Sequence, residues 1–392
     1  MWLYLQKVSA LRTVIKGKKM VESLELNELS GKIDRDFLLS QKEYCLKNHI
    51  GEKTAKAKIE QGLLPAFKTL NRVYIPKSID DSLELKEAKE AINSGCTVIS
   101  TGNHKGGVLK TTNTLNIAAS MAFMGYRVLI VDTDPQANST KGFGIFMDTH
   151  DVVKYNVIQL LLDISSDLSD EEYEQKIKKC IVPIKREYIF GKLDIIPNDP
   201  TMLTELKKID EITNAENGLD YILEFLKNDY DFIIIDTPPR TDTILKIGLM
   251  ASDYFIVSLK PEPFATLGIP DIFKPIKEVK RAYKMRKNRD LIVLGGIVAD
   301  VGSSNVHKTS IAQNKEDIKK LTNNTASIFK TQISHAEKVG ESQYGDGAMI
   351  FTNFKHYVTH EYLELTNEII EKIIEIEGKQ FGDNFNGLGE QK

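Results

Sequence analysis

The stretch Gly102-Asn103-His104-Lys105-Gly106-Gly107-Val108-Leu109-Lys110-Thr111-Thr112 (GNHKGGVLKTT) lies between an apolar run at 97–102 and a helical pattern at 113–124. A glycine-rich loop that opens onto a helix N-terminus gathers backbone N–H groups into a nest for phosphate oxygens. Gly106 and Gly107 let the backbone come close, and Val108, Leu109 and Thr112 complete the cradle. Lys110 is placed to reach the β- and γ-phosphates, and the Thr111 hydroxyl to ligate Mg²⁺. The usual loop carries glycine just before that lysine, where this chain has Leu109. The alternative is an ordinary glycine turn joining strand to helix.

Working outward, further short apolar runs occur at 128–134, 193–197, 232–236, 254–259, 291–298 and 328–333. Val, Ile and Leu dominate them with little in–out alternation, as in strands buried on both faces. The expected fold is α/β, a mostly parallel sheet with helices on both faces, preceded by a small helical domain. Asp132 and Asp134 end the second run, and Asp236 ends a later one. Strand ends at the carboxyl edge of such a sheet line the ligand crevice, so these acids are expected to face the loop. Asp236 suits a Mg²⁺-holding role through water. No nucleophile–base constellation accompanies His104, His307 or His335, and each reads as a surface histidine.

The chain has 392 residues, 41% of them hydrophobic, enough for one large domain and a small one. A formal net charge of −3 gives no global field for nucleic acid, so any DNA binding must come from local patches. Cys45, Cys96 and Cys180 are far apart and lack metal-ligand spacing, as expected of reduced cytosolic thiols. The apolar start at 2–5 meets Lys7 at once and does not read as a secretory signal. No apolar run approaches the roughly 18 residues of a membrane span, so no membrane partner is expected.

The Lys105-Gly106-Gly107 triplet, DPQAN at 134–138, TPP after Asp236, PEPFATLG at 261–268, FKTQISHAEKVGES at 329–342 and EYLEL at 361–365 resemble motifs of the ParA family of deviant-Walker partition ATPases. The resemblance runs over about 96–374, in the family's order. It implies ATP and Mg²⁺ as cofactors, hydrolysis to ADP and phosphate, an ATP-dependent homodimer, nonspecific DNA binding and a role in segregating plasmids or chromosomes. It also implies a centromere-binding ParB-like partner and a cytoplasmic, nucleoid-associated location. By the same resemblance, Lys105 crosses the dimer interface to the partner's phosphates, and Lys110 and Thr111 keep their loop roles. Asp134 orients the attacking water, and Asp132 and Asp236 support the metal. Pro261 and Phe264 lie near nucleotide and interface, although PEPFAT departs from the family's commoner EYFAL wording.

Residues 36–78 read as a winged helix-turn-helix, after an extension at 1–35 that could supply a dimerising helix and before a helical linker at 79–95; the ATPase domain is set at 96–392. Ser40 with Glu43 makes a capping box, and a turn at His49-Ile50-Gly51 precedes a short helix at 52–61. A strand at Arg72–Pro76 then returns from a wing. The pattern resembles excisionase- and MerR-type domains and turns Lys53, Thr54, Lys56 and Arg72 towards DNA. An adaptor without a DNA role fits the same pattern. Larger plasmid-encoded ParA proteins carry such a domain to bind operator DNA and repress their own operon. Within 273–290, Lys277, Lys280, Arg281 and Lys284 recur at helical spacing, a stripe able to neutralise phosphates without reading sequence. A solvated helix face is the alternative. Two other functions stay open: an ATP-sensing transcriptional regulator, and a MinD-like membrane-cycling ATPase, which would need a basic amphipathic C-terminal helix where this chain is glutamate-rich.

Overall fold

The computed structural model describes residues 38–387 apart from 61–63, 65, 70–71, 77–78, 92–94, 146–154, 187–188, 201–203, 240–242, 263–268, 287–289, 343–344, 346 and 355. The expectations for 1–35 and for Phe264 lie outside the described residues.

A three-stranded antiparallel sheet comes first, from β1 (Leu38–Ser40), β2 (Phe67–Thr69) and β3 (Arg72–Pro76), in the order β1-β3-β2. Helices Gln41–Lys47 and Glu52–Glu60 fill the chain between β1 and β2. Ser40 and Glu43 make the expected capping box. His49, at φ 53°, makes the turn between the two helices.

The main sheet contains β4 (Thr97–Gly102), β5 (Arg127–Asp132), β6 (Val182–Pro183), β7 (Lys192–Ile196), β8 (Phe232–Asp236), β9 (Tyr254–Leu259), β10 (Ile292–Val301), β11 (Ser327–Ile328) and β12 (Ile333–Ser334). Its order is β11-β10-β9-β4-β8-β5-β7-β6, with β12 also paired to β10. Only β6 runs antiparallel to its neighbour.

Strand alternation sends residues to two cores. In β8, Phe232 and Ile234 face a core shared with helix Lys110–Phe123 and helix Tyr357–Gly387, through Leu115, Ala118, Leu365 and Ile369. Ile233 and Ile235 face the other side, with Leu219, Ile222, Ile244 and Ile247. Helix Ile269–Arg286 covers β9 and β10 through Ile272, Ile276 and Tyr283. Each fully buried aliphatic side chain stabilises the fold by about 1.5–3 kcal/mol. Covered on both faces, the strands have no polar side to show, which is why their sequences lack alternation.

Two sequence readings are corrected. The run at 328–333 is two separate bridges, because Lys330 and Thr331 give their backbone N–H groups to the Glu368 carboxylate rather than to a neighbouring strand. The second strand stops at Asp132, since Asp134 N–H turns back to the Asp132 side chain. The glutamate-rich closing helix spans Tyr357–Gly387.

Helix Ile79–Ala91 lies against the main body. Lys86 Nζ donates to the Gly125 carbonyl at 2.7 Å, and buried Lys89 Nζ donates to Thr97 Oγ1 at 2.8 Å beside Glu377.

Candidate nucleotide site

The strand register assembles the site. Thr101 of β4 stands opposite Asp236 of β8, which stands opposite Asp132 of β5. The phosphate-loop entry and two acids therefore share the carboxyl edge of three adjacent strands. β4 ends at Gly102, where an added Cβ would come within 2.7 Å of Thr237 Oγ1 and 2.9 Å of the Phe255 ring, so only glycine fits.

From there the loop is held at its base and open at its tip. Buried Asn103 donates to the Ser258 carbonyl at 2.7 Å and accepts the Lys105 N–H at 3.1 Å. Gly106 and Gly107 have no atom within 4 Å of where a Cβ would stand, and Gly107 has φ +74°. Leu109 takes the left-handed conformation, φ 59° and ψ 28°, as the residue that starts helix Lys110–Phe123. That conformation normally favours glycine; a side chain there costs about 1 kcal/mol. The helix begins three residues earlier than the expected 113.

Lys110 is buried, and burial lowers its pKa against the opposing pull of Asp236 and Asp134. Thr111 Oγ1 donates to Asp236 Oδ2 at 2.8 Å. Asp236 is fully buried, and burial pushes its pKa up to about 6 despite hydrogen bonds from Ser139 and Thr111 and the charge of Lys110. Its Oδ1 is buried with no hydrogen-bond partner. A buried carboxylate oxygen without a donor is costly alone and is a ready acceptor for a cation or its water. Among the described residues no cluster of three metal-ligating side chains exists. A cation here would complete its shell with water and phosphate oxygens, the habit of Mg²⁺; the residues present fit that ion.

Asp132 behaves differently. Its Oδ2 accepts Thr140 N–H at 2.8 Å and Thr140 Oγ1 at 2.7 Å, and its Oδ1 accepts Asp134 N–H at 3.2 Å. Both oxygens are engaged by protein donors, which holds the 133–140 segment to the end of β5. Burial, then the Asp236 charge, raises its pKa well above the ordinary carboxylate range. Asp134 is buried, accepts Gln136 N–H at 3.0 Å, and has its carbonyl held by Asn198 Nδ2 at 3.0 Å. Lys105 is half-buried and Pro261 buried.

The sequence reading overlooked Ser139, Thr140, Asn198 and Asn103. Ser139 and Thr140 directly follow DPQAN, and two adjacent hydroxyls just past that acidic motif were the available signal. Asn198 carries no such signal and is brought in only by the tertiary fold; Asn103 lies in the loop itself, but its bond to Ser258 is set by the fold.

The residues expected on DNA lie on three separate elements. Lys277, Arg281 and Lys284 are exposed on helix Ile269–Arg286, while Lys280 pairs with Asp290 at 3.2 Å. Lys53, Thr54 and Lys56 are exposed on helix Glu52–Glu60, and Lys56 lies 3.8 Å from Glu60. Arg72 begins β3.

A phosphate loop at the end of the central strand, with acids closing the neighbouring strands, defines a P-loop ATPase, and residues 96–292 match the family model described as an AAA domain. The chain belongs to the ParA family of partition ATPases. It is 29% identical over 273 residues to the sporulation initiation inhibitor protein Soj of Bacillus subtilis (strain 168), covering 69% of this chain and 97% of that one. The chromosome partitioning protein ParA of Myxococcus xanthus (strain DK1622) is 26% identical over 276 residues, 70% of this chain and 88% of its own. The fold is shared with Cyanothece McdA in complex with ATP, at TM-score 0.56 and 16% identity over 71% of this chain and 97% of that one. It is shared as well with a putative plasmid partition protein of Borrelia burgdorferi B31 bound to AMPPNP, at TM-score 0.51 and 23% identity over 71% and 98%. No described helix is long and apolar enough to cross a membrane.

Proposed function

We propose that this chain hydrolyses Mg²⁺-ATP slowly, dimerises on ATP and, as the dimer, binds DNA nonspecifically to segregate a plasmid or chromosome. The observation that carries the nucleotide reading is the unpartnered, buried Asp236 Oδ1 beside Thr111 and Lys110. When bound, Mg²⁺ neutralises charge on the phosphates. Gly106 to Thr112 cradle those phosphates with backbone N–H groups, and Lys110 binds their outer oxygens. Lys105 reaches the partner subunit's nucleotide. Asp134, fixed by Asn198 and Gln136, orients the attacking water. A ParB-like centromere-binding protein stimulates turnover; groups supplied in trans accelerate related NTPases by about 10³–10⁵. The winged domain binds operator DNA and represses the protein's own operon.

The test is co-sedimentation with nonspecific DNA, with and without ATP, alongside an ATPase assay. ATP-dependent pelleting and turnover are expected, both lost in Lys110→Ala. Operator footprinting without ATP-dependent pelleting would instead mark a transcriptional regulator that senses ATP.

A further inference from the structure

We propose that Ser139 is a positioning residue for the Mg²⁺ site: it fixes the orientation of the Asp236 carboxylate at the metal. The inference rests on the Mg²⁺-ATP reading above and goes beyond it to a residue outside the phosphate loop.

Asp236 Oδ2 accepts two hydroxyl hydrogen bonds, from Thr111 at 2.8 Å and from Ser139 at 2.7 Å, whereas Oδ1 accepts none. The two donors come from different elements. Thr111 stands on the half-buried loop side, and Ser139 is fully buried on helix Asn138–Gly142. A hydroxyl has one proton and two lone pairs. Thr111 gives its proton to Asp236 and keeps its lone pairs for a cation. With Thr111 as its only donor, the carboxylate plane is free to turn about its terminal bond. The second donor on the same oxygen removes that freedom. Oδ2 stays behind, Oδ1 stays forward for a metal-bound water, and the Thr111 lone pairs stay aimed. The backbone around Ser139 is itself anchored, because the next residue, Thr140, gives both its N–H and its hydroxyl to Asp132. One short helix thus supplies a hydroxyl to each of two neighbouring acidic strand ends.

The experiment titrates a fluorescent ATP analogue onto the full chain in EDTA and again over a range of Mg²⁺, for wild type, Ser139→Ala and Ser139→Cys. Losing a hydrogen bond to a charged group is worth about ten-fold, so Ser139→Ala should need about ten-fold more Mg²⁺ for half-maximal tightening. Its affinity in EDTA should stay within about two-fold of wild type. Ser139→Cys, whose thiol is a weak donor, should fall between the two and guards against a fold defect in the alanine variant, as do melting curves in EDTA. An unchanged Mg²⁺ requirement overturns the proposal, and so does equal weakening with and without Mg²⁺, which would mark a purely structural serine. If wild type binds the analogue no more tightly with Mg²⁺, the Mg²⁺-ATP reading itself fails, a result distinct from either.

Discussion

Leu109 shows how one residue can meet a backbone demand its side chain opposes. Its left-handed conformation costs about 1 kcal/mol for any residue but glycine, while its half-buried side chain packs on the main core. Leu109→Ala and Leu109→Gly both lose the packing, but only glycine also relieves the backbone. In urea unfolding without nucleotide, the glycine variant should be about 1 kcal/mol more stable than the alanine variant, the reverse of the usual order in helices. An alanine variant of equal or greater stability would show that the loop does not hold this conformation in solution. Asp236 gives a pH prediction at the same scale. Its folded pKa of about 6 lies above the ordinary 3.8, chiefly through burial. Between those values the folded state keeps a proton that the unfolded state has released, so this group's contribution falls as pH rises from about 4 to 6. Above pH 6 the full penalty applies, on the order of 3 kcal/mol. Asp236→Asn cannot ionise. In EDTA it should be more stable than wild type at pH 7.5, with the gain shrinking towards pH 4.5. Adding Mg²⁺ and ATP should stabilise wild type and leave the variant behind. Chemical denaturation across pH reads both effects.

At the scale of elements, helix Ile79–Ala91 matters more than its sequence suggests. Lys86 binds the Gly125 carbonyl just past helix Lys110–Phe123, and Lys89 binds Thr97 at the first residue of β4. The helix therefore grips the far ends of the two elements that meet at the phosphate loop. Lys89 is buried, and burial lowers its pKa against the pull of Glu377. Removing Lys89 takes a cation from Glu377, which keeps hydroxyl donors from Thr97 and Tyr254, so Lys89→Ala should cost about 2 kcal/mol, below the fully buried range. A chain cut before residue 79 should melt higher than one cut before residue 96, although both keep the whole phosphate loop. Equal melting temperatures would make the helix a passive tether.

For the whole molecule, the two groups of basic residues are expected to divide the work on DNA. Exposed Lys277, Arg281 and Lys284 would neutralise phosphates without reading bases, each contributing about 0.9 to the salt slope of binding. Replacing all three with glutamine should weaken ATP-dependent binding to every sequence alike and flatten the slope by about 2.7. Lys280, already paired with Asp290, should add less when it alone is replaced. Replacing Lys53, Thr54 and Lys56 should leave that slope alone and remove operator protection. Footprinting and salt titration of the two variant sets separate the surfaces; if either set abolishes both activities, the division is wrong.

The sequence by itself determined the phosphate loop, the acids at 132, 134 and 236 and the parallel α/β class. These are local signals: a glycine-rich turn before a helix, and carboxylates at the ends of apolar runs. It also placed the Ser40 capping box, which spans only four residues. What it left open depends on which donors each group meets in the folded chain. Strand 328–333 divides because Glu368 takes its N–H groups, and Asp132 is engaged by Thr140 while Asp236 keeps a free oxygen. All three acids end apolar runs, and nothing in their neighbouring residues tells them apart. Only the tertiary structure decided which carboxylate oxygen has no donor, because hydrogen bonds are allotted by packing between strands about a hundred residues apart, and periodicity along the chain carries no record of that.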